Sequence, residues 1–352
     1  MSMALSCPLN LRLAVALDEV SVAPDGCSAD VAGTRLTGDD PRDLRGRLAN
    51  ALYELLHAGT AGTNDRARPA SKELNRDYGF EQRLAEAVPH ADAPVEGLLL
   101  AAGDKELIVR TALVTVRVPR GRLVGEDAPT AGSVVQLRLD AARPALSPGF
   151  FYVLGSQPRP RRDPTVRRIF VHLTESEGAV RIWRAALAEL EAARADYHGK
   201  VLSVRADYPR RDALVIYLYG ESGPIETALV QRLRGDRALG VATSVLTQRL
   251  APGIAAAWEP VDARPGQQNL SFGQHRCFAL AKALVEDALD PAAGTTRAQR
   301  VAAEFRLAGI DPMRPDRNLH QDTQTNEREL TTTIAVPPST GEHSTDSGHP
   351  IR

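Results

Sequence analysis

Val166-Arg167-Arg168-Ile169-Phe170-Val171-His172-Leu173 is the stretch from which the fold is read. Period two sets Arg168, Phe170 and His172 on one face and Ile169, Val171 and Leu173 on the other. One face is wholly aliphatic, and the other mixes a cation, an aromatic ring and an imidazole. A strand of this kind packs one face on a core. Toward the C-terminus the spacing predicts a helix over 175–195, strands over 200–205 and 212–219, and a helix over 223–234. A strand over 241–246 and helices over 271–290 and 295–308 follow. The result is an α+β or mixed α/β region of roughly 160 residues, an ordinary single-domain size.

Toward the N-terminus, residues 39–57 carry an acidic cap before Pro41 and apolar positions 44, 48, 52, 55 and 56 at helical spacing. Gly59 to Pro69 reads as a loop, and Tyr78 to Val88 as a helix that stops before Pro89. Glu96 to Ala101, Glu106 to Val118 and Ser133 to Leu139 read as antiparallel strands of a small sheet. Gln157 to Thr165 is a Pro/Arg-rich linker. Beyond Leu319 the chain is rich in Thr, Ser, Pro, Gln and His, and its burial cannot offset the entropy of ordering it. The expected class is α+β in three parts. These are an N-terminal accessory region of helices plus a small antiparallel sheet (1–145), a C-terminal mixed α/β region (146–319) and a disordered tail (320–352).

The 43 Lys+Arg and 44 Asp+Glu nearly cancel, which argues against a life on nucleic acid or an anionic membrane. Lysine is scarce, so any anion site would be built from arginine, whose fork grips phosphate and carboxylate. Three cysteines at unrelated spacings, Cys7, Cys27 and Cys277, fit neither a disulfide framework nor a zinc site. No window reaches a membrane span and no secretion signal opens the chain, so a cytoplasmic protein is expected. Phosphate-binding glycine loops, dinucleotide fingerprints, zinc-protease and nucleophile-elbow motifs are all absent from the sequence.

Lys200 opens the expected strand 200–205, and a desolvated lysine can act as a base, although a solvated strand end is the commoner case. Arg210 and Arg211 stand at the mouth of an apolar strand, able to bind an anion or to pair with Asp207 and Asp212. Ser271 with Gln274 forms a capping box, which places His275 and Arg276 in the first turn of a helix. Cations are disfavoured there unless an anion is bound, or unless the arginine reaches away to a carboxylate.

Several ordered segments resemble the HopA-type family, whose members are similar to a type III secretion effector and recur in actinobacterial peptide biosynthesis. They are Leu52 to Gly59, Phe80 to His90, Ala145 to Phe151, Arg168 to Leu173, Lys200 to Ser203, Tyr208 to Asp212, Leu250 to Gly253 and Ser271 to Arg276. The resemblance implies a phosphothreonine-lyase-like fold for 146–319 and a phospho-Ser/Thr lyase. Such an enzyme eliminates phosphate from a kinase-phosphorylated ribosomal precursor peptide, leaving dehydroalanine or dehydrobutyrine, in lanthipeptide-type or thioamitide biosynthesis. It implies Lys200 as base, His275 as the first choice of acid and His172 as the second, with His198 set aside. Arg168, Arg211, Arg249 and Arg276 are the implied phosphate clamp. No metal or other cofactor is called for. The implied partners are the phosphorylated peptide, a separate Ser/Thr kinase and a cyclase, with no nucleic acid or membrane. The competing reading is a non-catalytic peptide-binding adaptor of a kinase complex.

Overall fold

The computed structural model describes residues 8–61, 76–111, 114–125, 129–158, 165–268, 270–291 and 294–319. Most of the expected loop 59–69, residues 159–164 of the linker and the tail 320–352 lie outside these.

The chain opens with α1 (Leu11–Ala16) and a meander of β1 (Val20–Val22), β2 (Ser28–Val31) and β3 (Thr34–Thr37). Next comes α2 (Pro41–Leu52), started by Asp40, whose side chain accepts from the Arg42 and Asp43 amides, with Pro41 in the first turn. A π-helical turn, Tyr53–Ala58, prolongs α2 without a break and ends at Gly59, φ +74°. After α3 (Tyr78–Glu86) come β4 (Asp92–Ala102), β5 (Glu106–Arg110), β6 (Thr115–Pro119) and β7 (Val134–Asp140), a four-stranded sheet in the order β6-β5-β4-β7. The expected strand 106–118 is therefore two strands, β5 and β6, which pair antiparallel.

The remaining strands are β8 (Ala142–Ser147), β9 (Phe150–Leu154), β10 (Val166–Leu173), β11 (Tyr197–Leu202), β12 (Arg210–Tyr219), β13 (Gln248–Ala251) and β14 (Ile254–Trp258). They form one sheet in the order β13-β14-β10-β12-β11-β9-β8, antiparallel at every pairing. The interleaved helices are α4 (Ser176–Ala192), α5 (Gly223–Leu233), α6 (Phe272–Leu289) and α7 (Arg297–Leu307).

Helices cover both faces of this sheet, which is why β10, an interior strand next to the central β12, is buried almost throughout. Ile169, Val171 and Leu173 share a core with Leu214, Ile216, Leu218 and the stripe Ala179, Ile182, Trp183, Ala186, Leu187 and Leu190 of α4. Trp183 is 0% exposed and its indole N–H donates to the Leu84 carbonyl of α3 at 3.3 Å. On the opposite face Phe170, Val215, Tyr217 and Ala257 pack with α2, α6 and α7. The α+β class is thus observed, with the two faces of β10 divided as its alternation predicts.

Several boundaries differ from expectation. No strand spans 241–246; the edge hairpin is β13 and β14, turning at Gly253, φ +71°. Its inner strand, Ile254-Ala255-Ala256-Ala257-Trp258, is poor in the β-branched residues that mark strands. The strand read as 200–205 is β11, so Lys200 lies inside it, paired with Val215 on one side and Tyr152 on the other. Residues 8–58, expected in an accessory region, share one core with 170–310, because the apolar stripe of α2 is covered by α6. Among the described residues of 1–145, the sheet β4–β7 has a separate small cluster, around Leu99, Leu107, Val109 and Leu137. Among the described residues, no helix is long and apolar enough to cross a membrane.

Candidate functional site

The face of the large sheet toward α6 and the π-helical turn carries the polar residues that could do chemistry. Lys200, half-buried at the middle of β11, places its ammonium 4.4 Å from the centroid of the Phe150 ring. Among the described residues it makes no hydrogen bond and no ion pair. The Arg210 guanidinium stands over the same ring, its central carbon 5.8 Å from the centroid.

Arg210 is fixed from behind. Its Nε and Nη2 each donate at 2.8 Å to the two oxygens of Asp212, a buried bidentate pair. The Tyr53 hydroxyl donates to Asp212 Oδ2 at 2.6 Å and lies 3.3 Å from Arg210 Nη2. A register shift between β10 and β12 next to Leu173 accompanies this arrangement. Burial alone would raise the Asp212 carboxyl, but the Arg210 guanidinium and its hydrogen bonds outweigh it and hold Asp212 well below the usual carboxylate range. Burial and the neighbouring Asp212 charge push the Tyr53 phenol far up, so it remains a donor.

The same π-helical turn supplies His57, buried against Phe170 (ring centroids 5.1 Å), Phe272 (5.6 Å) and Tyr53 (5.2 Å). Its Nδ1 lies 3.1 Å from the Ser244 hydroxyl. Burial lowers this imidazole to about 4. Gly273 of α6 makes the approach fit: a Cβ there would come within 2.5 Å of His57 and 2.6 Å of Tyr53. π-Helical turns recur at functional sites because the extra residue redirects side chains.

Arg211 donates from Nη1 to the Leu55 carbonyl at 3.1 Å and lies over Gly59, where a Cβ would sit 2.5 Å from its Nε. Burial, then the Arg12 charge, lowers its affinity for its proton. His172, half-buried, has Nδ1 3.0 Å from the Ala242 carbonyl, which can only accept, so Nδ1 carries the hydrogen. The neutral ring leaves its Nε2 lone pair open. Its ring rests on Gly240, and burial is the main cause of its lowered pKa, with Arg211 adding to it.

The other expected site residues stand elsewhere. Arg249 is exposed on the edge strand β13 in the same cross-strand row as Lys200, separated by Ala255, Phe170 and Val215. Four strand spacings, about 19 Å, therefore part the two. Arg168 makes a bidentate pair with Glu259 and stacks on the Tyr217 ring at 4.8 Å. His275 and Arg276 do lie near the start of α6, behind the Ser271–Gln274 capping box, but no ligand is needed to explain them. His275 Nε2 meets Asp262 at 2.8 Å and its Nδ1 takes a hydrogen bond from Arg276 at 3.0 Å, so neither ring nitrogen is left for a substrate. Arg276, 0% exposed, donates to the Pro315 and Arg317 carbonyls and to Asn318, and tethers the 315–318 segment. Both residues expected to act on the phosphopeptide, His275 as acid and Arg276 as clamp, are thus engaged by contacts within the chain. His198, set aside in the sequence, lies stacked on Tyr217 (4.0 Å) and Tyr152 (5.1 Å), with Nδ1 2.7 Å from the Tyr219 hydroxyl.

The structure thus gathers Lys200, Arg210, Asp212, Tyr53, His57, Arg211 and His172 around one end of β10 and β12. Of these, Tyr53 and His57 were not singled out by pattern, and Asp212 was read only as a pairing partner for the adjacent arginines. Their signal was positional, since Leu52 to Gly59 and Tyr208 to Asp212 are among the segments that carry the family resemblance. Among the described residues no group of three or more His, Cys, Asp or Glu is placed to hold a metal ion.

No curated protein matches the chain. Two solved structures with similarity to it are effector proteins of Pseudomonas syringae. One, from pathovar tomato strain DC3000, is 21% identical with a TM-score of 0.38, and the other, from pathovar syringae strain 61, is 14% identical with a TM-score of 0.37. Each match covers 48% of this chain and 62% of the effector, so under two thirds of either effector's length is spanned. Residues 141–317, half of the sequence, match the family described as HopA1 effector proteins, and they include β9 to β14 and every helix from α4 on. The chain belongs to the HopA1 effector protein family.

Proposed function

We propose that the protein is a phospho-Ser/Thr lyase that acts on a precursor peptide phosphorylated by a separate kinase, as a step of lanthipeptide-type maturation. The carrying observation is Lys200: a half-buried amine inside a strand, with no carboxylate partner among the described residues, sharing an aromatic ring with a fixed arginine. In β-elimination the Lys200 amine takes the Cα proton, the freed electron pair forms the Cα–Cβ double bond, and the Cβ–O bond breaks. Phosphate leaves with that bond's electrons, and an acid protonates its bridging oxygen. His172 is assigned this acid, because its Nε2 is open whereas both nitrogens of His275 are engaged; Nε2 takes a proton from solvent when the dianionic phosphate binds and passes it to the bridging oxygen. Residues 92–140, with their own small core, are assigned to holding the peptide or docking the kinase, and a cyclase acts after the elimination.

The test is to mix the protein with a synthetic phosphopeptide of the precursor and follow its mass and thiol reactivity. Loss of phosphate with gain of a thiol-reactive alkene, abolished by Lys200→Ala, is the expected result. Phosphopeptide binding and kinase stimulation with no elimination would favour the adaptor reading, and an active Lys200→Ala protein would remove the assigned base.

A further inference from the structure

Lys200 must arrive without its proton if it is to act as a base, so it cannot also serve as the cation that holds the dianionic phosphate in the ground state. A second cation that never gives up its proton has to stand beside it, and arginine is the side chain that meets this condition. Four arginines are implied for this task by family resemblance. Arg276 is spent on the 315–318 segment, Arg168 on Glu259, Arg249 stands about 19 Å away across four strands, and Arg211 is turned to the Leu55 carbonyl and Gly59 with no carboxylate holding its plane among the described residues.

Arg210 meets the condition. Asp212 occupies Nε and Nη2, which fixes the plane of the guanidinium, and Tyr53 Oη lies against Nη2. Nη1 is given no partner among the described residues, and the group leans on the same Phe150 ring as Lys200. Resting on the lyase reading, we infer that Arg210 is the principal phosphate-binding residue of this site, and that Asp212 and Tyr53 are positioning residues that aim its Nη1 edge at a phosphomonoester over Phe150.

This arrangement divides two tasks that one lysine could not perform together. Arg210 holds the phosphate before and during bond breaking, and Lys200 becomes cationic only as the phosphate departs. Asp212 also explains how an arginine can be largely buried here: the carboxylate offsets its desolvation while leaving one nitrogen for a ligand.

The experiment measures inorganic phosphate binding to the full chain by calorimetry, beside KM and kcat on a phosphopeptide. Arg210→Gln is expected to weaken phosphate binding and raise KM by about tenfold or more, since a charged, fork-shaped contact is removed. Arg210→Lys keeps a cation against Asp212 and guards against misfolding; it should weaken phosphate by about threefold to tenfold, because the planar fork is lost. Tyr53→Phe should shift KM in the same direction by a smaller factor, and Arg249→Gln should leave phosphate affinity unchanged. Wild-type phosphate affinity in folded Arg210→Lys and Arg210→Gln, or no phosphate binding by the wild-type protein at millimolar concentration, would overturn the inference. Arg210-dependent phosphate binding without elimination would uphold the anion site while removing the lyase reading. Elimination that persists with unchanged KM in Arg210→Gln would do the reverse.

Discussion

The Tyr53 hydroxyl donates to Asp212 at 2.6 Å across 159 positions of sequence, joining the π-helical turn to the strand that holds the site. The contact sets the worth of each partner. Asp212→Ala strips the counter-charge from Arg210 inside the protein and should cost about 3–5 kcal/mol. Tyr53→Phe removes one hydrogen bond to a carboxylate that Arg210 still satisfies, and should cost about 1–3 kcal/mol. Urea unfolding of both variants checks the order; a Tyr53→Phe protein less stable than Asp212→Ala would contradict it.

Stability should fall between pH 6.5 and 4. His57 and His275 are both lowered by burial to about 4, so over that window the unfolded chain binds protons that the folded chain refuses. Above 6.5 both states are neutral and no loss occurs; below 4 both are charged and the loss is complete, about 3 kcal/mol for His57 at most. Paired carboxylates such as Asp212 act in the same direction, but at lower pH. Chemical unfolding at pH 7.5 and 5 is the measurement, and equal stabilities would refute the assignment of buried neutral imidazoles.

Lys200→Ala should be nearly neutral for stability, within about 1 kcal/mol, because among the described residues Lys200 makes no ion pair or hydrogen bond, and its contact with the Phe150 ring is weak. A melt close to wild type would show that any loss of elimination comes from chemistry. A collapse of several kcal/mol would mean that the residue is structural.

Gly273→Ala should destabilise despite alanine's better helix propensity. The new methyl would lie within 2.6 Å of both the His57 and Tyr53 rings, and forced overpacking costs about 1–3 kcal/mol against a propensity gain of about 1 kcal/mol. The accompanying sign should be weakened phosphopeptide binding, since the π-helical turn is displaced. A stabilised variant would show that the turn yields freely.

The parts of the fold that were legible in the sequence are those in which one periodicity acts over many residues. The stripe of α4 around Trp183, the capped helices α2 and α6 and the two-faced strand β10 all announce their burial by spacing alone. Elements whose residues lack such a signal went unread. The alanines of β14 have no strand preference of their own and are strand only because β10 and β13 flank them. Pro144 argues against a strand at β8, yet β8 lies at the sheet's edge, where a missing N–H is tolerated.

The candidate site was legible in kind and only partly in membership. Lys200, Arg211 and His172 stand where chemistry can be argued. Arg276 and His275 have the look of anion ligands in sequence because their true partners, Asp262 and the 315–318 carbonyls, are brought in by chain wrapping that no local pattern encodes. Arg210 and Arg211 are adjacent and equivalent as letters. Only the pairing of Asp212 with Tyr53, from a different end of the chain, separates their roles.

β9 pairs with β11 directly opposite Lys200, with Tyr152 as its cross-strand neighbour, although residues 157–165 separate β9 from everything that follows. Proteolytic cutting within those residues would therefore yield two fragments that share one sheet, with β8 and β9 on the first and the other five strands on the second. They should stay associated as a noncovalent complex, and each fragment alone should be unable to build the site.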